Sequence, residues 1–264
     1  MRKPCLYVWI TAILIASLCG PASAWDSADW KNPTRPTHSL MTKYAISELN
    51  ASYPEAGKYR DQLIDGANLE VHELKIESAK YTKKYGLDVE DKRENRYLGT
   101  NAGCLRPDLI WQDAQAAYLA GKKDAAFFLM GVLLHQIQDM SVPSHAHDIY
   151  HQGNATEFDN FEFMALLNWK PDFSGISTKD PALQDKSKYA NPSAYYEFSK
   201  QWCLLDAPDY RSRSEFSKTW MTASKAERKL LSRRQASACL LTKWALESAL
   251  VAFAKPECPI PPSP

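Results

Sequence analysis

The sequence predicts an all-α fold in a single domain, and three observations predict it. Apolar residues recur at helical spacing in several long segments, most clearly over 38–49 and 125–140. Sustained alternation of polar and apolar residues, which is typical of half-buried strands, does not occur. The chain also lacks a repeat period and a glycine-rich phosphate loop, so solenoid folds and phosphate-loop nucleotide-binding folds are not indicated.

The first two helices are predicted near the start of this domain. Thr37 has the side chain of a helix N-cap, and the apolar pattern that follows predicts a helix over 38–49. A second helical pattern covers 58–67. Residues 71–94 are strongly charged, and we expect them to be exposed and partly helical.

The middle of the chain contains its most apolar helix. An alanine-rich helical pattern covers 109–119 and is broken at Gly121. Asp124 then has the side chain of an N-cap for a helix over 125–140. Pro143 is expected to stop that helix, because proline cannot continue the backbone hydrogen-bond ladder.

The last part of the chain is again predicted to be helical. A helix is expected over 157–169, followed by a polar loop over 171–192. Residues 193–205 and 215–254 supply at least two more helices. The predicted domain therefore covers 25–255, and a proline-rich tail occupies 256–264.

Residues 1–24 have the layout of a cleavable secretory signal. They comprise a basic start, an apolar stretch over 6–18 and an Ala-Ser-Ala cleavage site that ends at Ala24. An uncleaved anchor is the alternative, although the apolar run is short for one, and lipid attachment at Cys19 is disfavoured because the residue before it is not small. Cleavage would place the protein outside the cytoplasm, secreted or periplasmic, with Trp25 as its first residue.

Charge and cysteine usage narrow the functional classes. With 32 Lys and Arg against 31 Asp and Glu, the chain has no charge excess of the kind that drives nucleic-acid binding by counterion release. No apolar run of about 20 residues follows the signal, so a membrane-spanning helix is not expected. Four cysteines remain after the signal, and their even number in an exported chain predicts disulfides, with all three pairings open, among Cys104, Cys203, Cys239 and Cys258.

A metal site is predicted at the end of the most apolar helix. His135 and Asp139 are four residues apart, so their side chains lie on one face, one turn from each other. Burying a carboxylate there requires a compensating partner, and a metal ion would provide one. The alternative is a histidine–aspartate pair that is satisfied within the core. Further candidate donors follow closely in the chain, and these are His145, His147, Asp148, His151, Asp159 and Glu162.

The donor types indicate which metal and which chemistry to expect. Four of the six histidines lie between positions 135 and 151, although His147 and His151 could instead belong to a solvated loop. Imidazole and carboxylate donors without a thiolate are typical of catalytic zinc, which keeps a position open for water. Two or three such ions about 3.5–4 Å apart can clamp a phosphate ester while an activated water attacks phosphorus.

Together these residues resemble a known family, the zinc-dependent phospholipases C, which share a superfamily with fungal single-strand nucleases. The resemblance rests on Trp25 at the cleavage site, His38 thirteen residues later, and the pattern His-x3-Asp-x5-His at His135, Asp139 and His145. It implies up to three Zn²⁺ ions in a cleft between helices. The amino group and carbonyl of Trp25 would hold one ion with His38 and Asp139, His135 and a bridging Asp139 would hold a second, and His145 would begin the third.

The chain departs from the family pattern at the remaining ligands. The family's aspartate after a pair of small residues falls on Asn68, with Asp65 and Glu70 close by, and these three are the candidates for the catalytic base. The family's next histidine is either missing or has moved to His72.

The third ion shows a similar departure. The family supplies His-x3-Glu there, and the best alignment makes Asp159 the acid and places the histidine position on Ala155. His151 or Asn154 could substitute for that histidine.

Three functional hypotheses follow from these residues. The first is an exported zinc-dependent phospholipase C that hydrolyses the phosphodiester of phospholipid head groups at a membrane surface, acting as a monomer. The second keeps this chemistry and replaces the substrate with single-stranded nucleic acid, which the near-neutral charge disfavours. The third is a degenerate relative that binds metal without turnover, as the changes at Asn68 and Ala155 suggest.

Overall fold

The protein is helical throughout the part of the chain that the computed structural model describes. The described residues are 37–69, 84–85, 106–147, 161, 165, 168–176, 191–206 and 223–255. Within these ranges the regular structure is helical and no strand occurs, so the all-α prediction is confirmed. The α-helices of this part, numbered in chain order, are α1 Thr37–Leu49, α2 Pro54–Lys58, α3 Arg60–Ala67, α4 Pro107–Leu119, α5 Lys123–Asp139, α6 Pro143–Ala146, α7 Ala194–Asp206 and α8 Lys225–Ala254, with a 3₁₀ turn at Phe173–Gly175.

Helix α5 is the central element of the core. Every residue from Ala125 to Asp139 is buried, because the helix is apolar on all sides apart from a few polar side chains near its end. Helices α3, α4 and α8 pack against it, and α1 packs between α3 and α8. Phe127 contributes to this core by stacking on Tyr59, with ring centroids 4.4 Å apart.

Helices α3 and α5 approach each other closely at a pair of glycines. A Cβ at Gly66 would lie 2.1 Å from the backbone oxygen of Phe128 and 2.9 Å from the Cα of Gly131. A Cβ at Gly131 would lie 2.4 Å from the backbone oxygen of Leu63. Neither position has room for a side chain, so the two glycines fix the short distance between these helices.

Helix α8 begins with a complete capping box and continues as a core helix. Ser224 accepts a hydrogen bond from the backbone of Glu227, whose side chain accepts one from the backbone of Ser224. By length and composition this helix could cross a membrane, yet 61% of its most apolar window is buried inside the fold. Arg234, Gln235 and Thr242 are among its buried residues, so polar side chains also face the interior. We therefore treat α8 as a core helix.

Several predicted boundaries are corrected by the structure. The predicted helix over 58–67 is divided at Tyr59, which separates α2 from α3 and is buried against Phe127. Thr37 is the first helical residue rather than a cap, and its buried hydroxyl makes no hydrogen bond. Asp124 lies inside the first turn of α5, where its carboxylate accepts a hydrogen bond from Gln62 at 2.7 Å.

The break after α5 also differs from the prediction. The helix ends at Asp139, before the proline, and Pro143 is the first residue of α6. Proline is well suited to a first helical position, because the backbone N–H that it lacks would have no partner in the helix. The glycine break at Gly121 is confirmed, with a φ of 75°. Helices α4 and α7 match their predicted ranges to within two residues.

Other predictions fall wholly or partly outside the described residues. These include the secretory signal, the proline-rich tail, most of the charged stretch over 71–94 and most of the predicted helix over 157–169. Of the cysteines, Cys104 and Cys258 lie outside, while Cys203 and Cys239 are buried. Cys239 has a free thiol whose pKa is raised by burial, so it takes no part in a disulfide here. For the other cysteines, disulfide pairing stays a prediction.

Candidate metal centre

Two histidines and one aspartate come together where α1 meets the end of α5. His38 lies in the first turn of α1, and His135 and Asp139 lie in the last turns of α5. All three side chains are buried, and one donor atom from each lies within 4.8 Å of the other two. Residues a hundred positions apart therefore form one cluster, hereafter the His–His–Asp cluster.

The carboxylate of Asp139 lies between the two imidazoles. Its Oδ1 is 3.5 Å from Nε2 of His38, and its Oδ2 is 3.2 Å from Nε2 of His135. Two donors of one tetrahedral zinc ion are separated by about 3.3 Å, given bonds of about 2.0–2.1 Å. Each histidine and its facing oxygen therefore have the spacing of donors to a shared ion, and each oxygen serves a different histidine.

Hydrogen bonds behind the cluster orient both rings. Nδ1 of His38 lies 2.6 Å from Oε1 of Gln138, and Nδ1 of His135 lies 2.9 Å from the backbone oxygen of Ala67. Both partners are acceptors, so each Nδ1 carries the proton and donates. In a neutral ring the Nε2 lone pair then points towards Asp139. This is the arrangement by which proteins prepare histidine for a metal.

The bond to Ala67 depends on the close packing of α3 against α5. Ala67 is the last residue of α3 and immediately follows Gly66. The crossing at Gly66 and Gly131 brings the end of α3 close enough for its carbonyl to reach a histidine on α5. The glycine pair is thus a structural requirement of the cluster as well as of the core.

The electrostatics of the cluster call for a cation. The rings of His38 and His135 are stacked, with centroids 4.0 Å apart and planes 16° from parallel. Two imidazolium ions would repel each other in this arrangement, so at most one ring is expected to carry an extra proton. Asp139 is only 4% exposed, and its Oδ1 makes no hydrogen bond. A metal ion would compensate this buried carboxylate and both imidazoles together, so the residues present fit a zinc ion.

The two nearby catalytic candidates have other partners. Asp65 accepts hydrogen bonds from the ammonium of Lys84 and the hydroxyl of Tyr85, and the three form the Asp65 cluster. Asn68 donates to Oγ of Ser39 at 2.8 Å, and Ser39 donates back to Oδ1 of Asn68 at 3.0 Å. Since Ser39 follows His38, this pair ties the end of α3 to the start of α1. Neither Asp65 nor Asn68 belongs to the His–His–Asp cluster.

The other predicted ligands are not brought to the cluster among the residues described. His145 lies on α6 and is half-buried, and His147 follows that helix. Neither belongs to the three-residue group. The remaining candidates lie outside the described residues, and these are Trp25, Glu70, His72, Asp148, His151, Asp159 and Glu162.

Sequence reasoning missed the polar residues that support the cluster. Nε2 of Gln138 donates to the hydroxyls of Thr42 and Thr242, at 3.1 Å in each case. Two signals could have indicated them: Thr42 lies one turn after His38 on the same helix face, and Gln138 is a polar residue next to Asp139 on an otherwise apolar helix. Thr242 carries no comparable signal, because only the packing of α8 brings it near.

Comparison of the chain with protein-family models, curated proteins and solved structures found no match. The resemblance to zinc-dependent phospholipases C therefore rests on the residues and spacings of this chain alone.

Proposed function

We propose that this protein is an exported zinc-dependent phosphodiesterase of the phospholipase C type, acting on phospholipid head groups. The observation that carries the proposal is the position of the Asp139 carboxylate, buried between the Nε2 atoms of His38 and His135 at 3.5 and 3.2 Å. The family resemblance expects an aspartate that bridges two ions, and the two oxygens of Asp139 face different histidines.

His38, His135 and Asp139 would hold the metal, together with donors from parts of the chain beyond the described residues. Zinc supplies an activated water near neutral pH and neutralises charge on the phosphate oxygens. The chain's own residues do the rest. Gln138 and Ala67 keep the protons of both rings at Nδ1, and the apolar surroundings of α5 exclude water from the buried side of the cluster.

Phospholipid is preferred over nucleic acid as the substrate on grounds of charge. A chain with 32 basic and 31 acidic residues lacks the electrostatic excess that nucleic-acid enzymes use to hold a polyanion. Head-group phosphodiesters also match the family that the ligand pattern resembles. Neither argument depends on the geometry of the cluster, so the two substrates are compared directly by experiment.

The test uses protein that begins at Trp25 and is loaded with zinc. We expect it to release phosphorylated head group from vesicles of phosphatidylcholine or phosphatidylethanolamine, and we expect a chelator to abolish release. Denatured DNA is assayed in parallel, and Glu55→Gln, which removes a carboxylate outside the His–His–Asp cluster, is expected to keep both zinc and activity. Glu55 pairs with Lys123 in a partly exposed network that joins α2, α4 and the first residue of α5, at the opposite end of that helix from the cluster. Zinc-loaded protein that turns over no phospholipid would contradict the proposal. Preferential cleavage of DNA would show that the substrate is single-stranded nucleic acid and not phospholipid.

A second test concerns the terminal chelate. If Trp25 supplies its amino group, one extra residue ahead of it should lower the zinc content by one ion per chain and leave the others bound. Counting zinc by mass spectrometry in the two forms measures this. An unchanged zinc content would show that the terminus is not a ligand.

A further inference from the structure

We propose that Gln138 is a positioning residue for the metal centre, and that Thr242 determines its orientation. Gln138 would hold His38 in the tautomer that presents Nε2 to the metal. This inference rests on the proposed function for the metal itself, but not for the tautomer, which can be measured without metal or substrate.

The orientation of the Gln138 amide follows from its neighbours. Thr242 donates its hydroxyl proton to the backbone oxygen of Ala238 at 2.6 Å, so at Gln138 its oxygen acts as an acceptor. An acceptor at 3.1 Å requires the amide nitrogen of Gln138 to face Thr242. The hydroxyl of Thr42 also accepts from that nitrogen, at 3.1 Å.

With its nitrogen directed at two threonines, Gln138 must direct its oxygen at His38. That oxygen lies 2.6 Å from Nδ1, and an amide oxygen can only accept. The proton of the neutral His38 ring is therefore fixed at Nδ1, which leaves the lone pair of Nε2 facing Asp139. Reversing the amide would turn its oxygen towards Thr242, whose hydroxyl proton is already given to Ala238, so two acceptors would face each other.

This hydrogen-bond network connects side chains of three helices at the metal centre. His38 and Thr42 lie on α1, Gln138 on α5 and Thr242 on α8, and all four side chains are buried. Because the network is buried, losing one member removes hydrogen bonds that water cannot easily replace. Loss of an outer-shell partner of a metal-binding histidine typically costs 10–100-fold in metal affinity.

The first measurement is the tautomer of His38. Nitrogen-15 imidazole spectra of metal-free protein are recorded at mildly alkaline pH, where free imidazoles are neutral. His38→Gln identifies the His38 signals. We expect the wild-type protein to show a protonated Nδ1 and an unprotonated Nε2, and Gln138→Met to shift both nitrogens towards a mixture of tautomers. A His38 tautomer that is the same in Gln138→Met as in the wild type would overturn the proposal.

The second measurement is zinc affinity, with a matched control on the same helix. Gln136 is as buried as Gln138, at 1% and 0% exposure, but its side-chain oxygen makes no hydrogen bond. We expect Gln138→Met to weaken zinc binding by about 10–100-fold and Gln136→Met to change it by less than about twofold. Equal losses in the two variants would indicate general disruption of α5 and would contradict a specific role for Gln138.

A milder pair of variants covers the case in which Gln138→Met does not fold. Thr242→Val keeps the shape of the side chain but removes the acceptor, and Ser237→Ala removes another buried hydroxyl of α8 that bonds a carbonyl one turn back. We expect only Thr242→Val to mix the His38 tautomers, and an unmixed tautomer in this variant would also overturn the proposal. Absence of phospholipid turnover would contradict the proposed function but would not change the tautomer of His38. Failure of the proposed function and failure of this inference are therefore distinguishable.

Discussion

The His–His–Asp cluster and the Asp65 cluster are two carboxylate sites that share helix neighbours but differ in their partners. Asp139 lies on α5, is 4% exposed, and has two stacked imidazoles beside its carboxylate. Asp65 lies on α3, which packs against α5, and its half-exposed carboxylate contacts an ammonium and a phenol. Both residues were candidates for the same active site when only the sequence was considered.

The difference between the two carboxylates lies in their partners, which favour a metal at Asp139 and a simple ion pair at Asp65. Lys84 brings a permanent charge to Asp65, so that carboxylate is compensated without a metal. The histidines beside Asp139 direct their protons away from it, towards Gln138 and Ala67, and bring lone pairs instead. A buried carboxylate between two neutral imidazoles needs a cation, either a metal ion or an extra proton on one ring, whereas one beside an ammonium does not.

The largest expected effect comes from Asp139→Asn. The amide has no negative charge to offer a metal ion, so zinc affinity should fall by more than about 100-fold, since even outer-shell losses cost about 10–100-fold. Phosphodiester turnover should fall with it, and calorimetric zinc titration measures the loss. Asp65→Asn should leave zinc binding within about threefold, because Asp65 is not in the three-residue group. Equal losses of zinc from the two variants would erase the distinction between the clusters.

The next largest effect is expected at the glycine contact between the two clusters. In Gly66→Ala the new Cβ meets backbone atoms of α5 that cannot turn aside, at distances from 2.1 Å. We expect unfolding free energy to fall by about 2–3 kcal/mol, and zinc affinity to fall as Ala67 moves away from His135. Denaturant titration measures the first effect.

Gly57→Ala is the control for this variant. Its Cβ would meet the side chain of Asn50, which can move. Its stability should change by less than about 1 kcal/mol, and a comparable loss there would contradict the packing argument.

A smaller effect is expected on the stability of the fold at alkaline pH, and it arises in the Asp65 cluster. Burial and the hydrogen bond to Asp65 raise the pKa of Tyr85 from 10.0 to about 12. The folded state binds the Tyr85 proton more tightly than the unfolded state does. This binding contributes fully to the stability of the fold below the unfolded pKa, and the contribution is lost as pH rises from about 10 towards 12.

Tyr85→Phe should therefore lose less stability than the wild type over that range, by about 1 kcal/mol after allowance for the half-exposed Lys84. Denaturant midpoints at several alkaline pH values measure the difference. Parallel curves for the two proteins would show that Tyr85 does not hold its proton in this way.

The smallest effect is expected at Asn68. Replacing it with alanine removes two hydrogen bonds to Ser39 in a half-buried position and should cost about 1 kcal/mol of stability. Zinc content should stay unchanged, because Asn68 belongs to the connection between α3 and α1. A variant that folds normally but loses an ion would instead restore Asn68 to the metal site.

The sequence alone determined the helical class and two of the three residues of the His–His–Asp cluster. The all-α fold follows from apolar spacing, which depends only on the helix period of 3.6 residues. His135 and Asp139 could be placed on one face by the same period. Helix boundaries were predicted less well at Tyr59, Asp124 and Pro143, where side-chain packing or the local turn decided where a helix begins or ends.

Only the tertiary structure decided which distant residues complete the His–His–Asp cluster. His38 entered the prediction through a family resemblance, but its stacking on His135 and the distance to Asp139 result from the packing of α1 against α5. The role of Thr242 could not be predicted from the sequence, because no local pattern relates a threonine on α8 to a glutamine about a hundred residues earlier. The physical reason is that periodicity specifies a helix face, whereas the partner of that face depends on which helices can approach closely. Here a pair of glycines sets one such approach, that of α3 to α5.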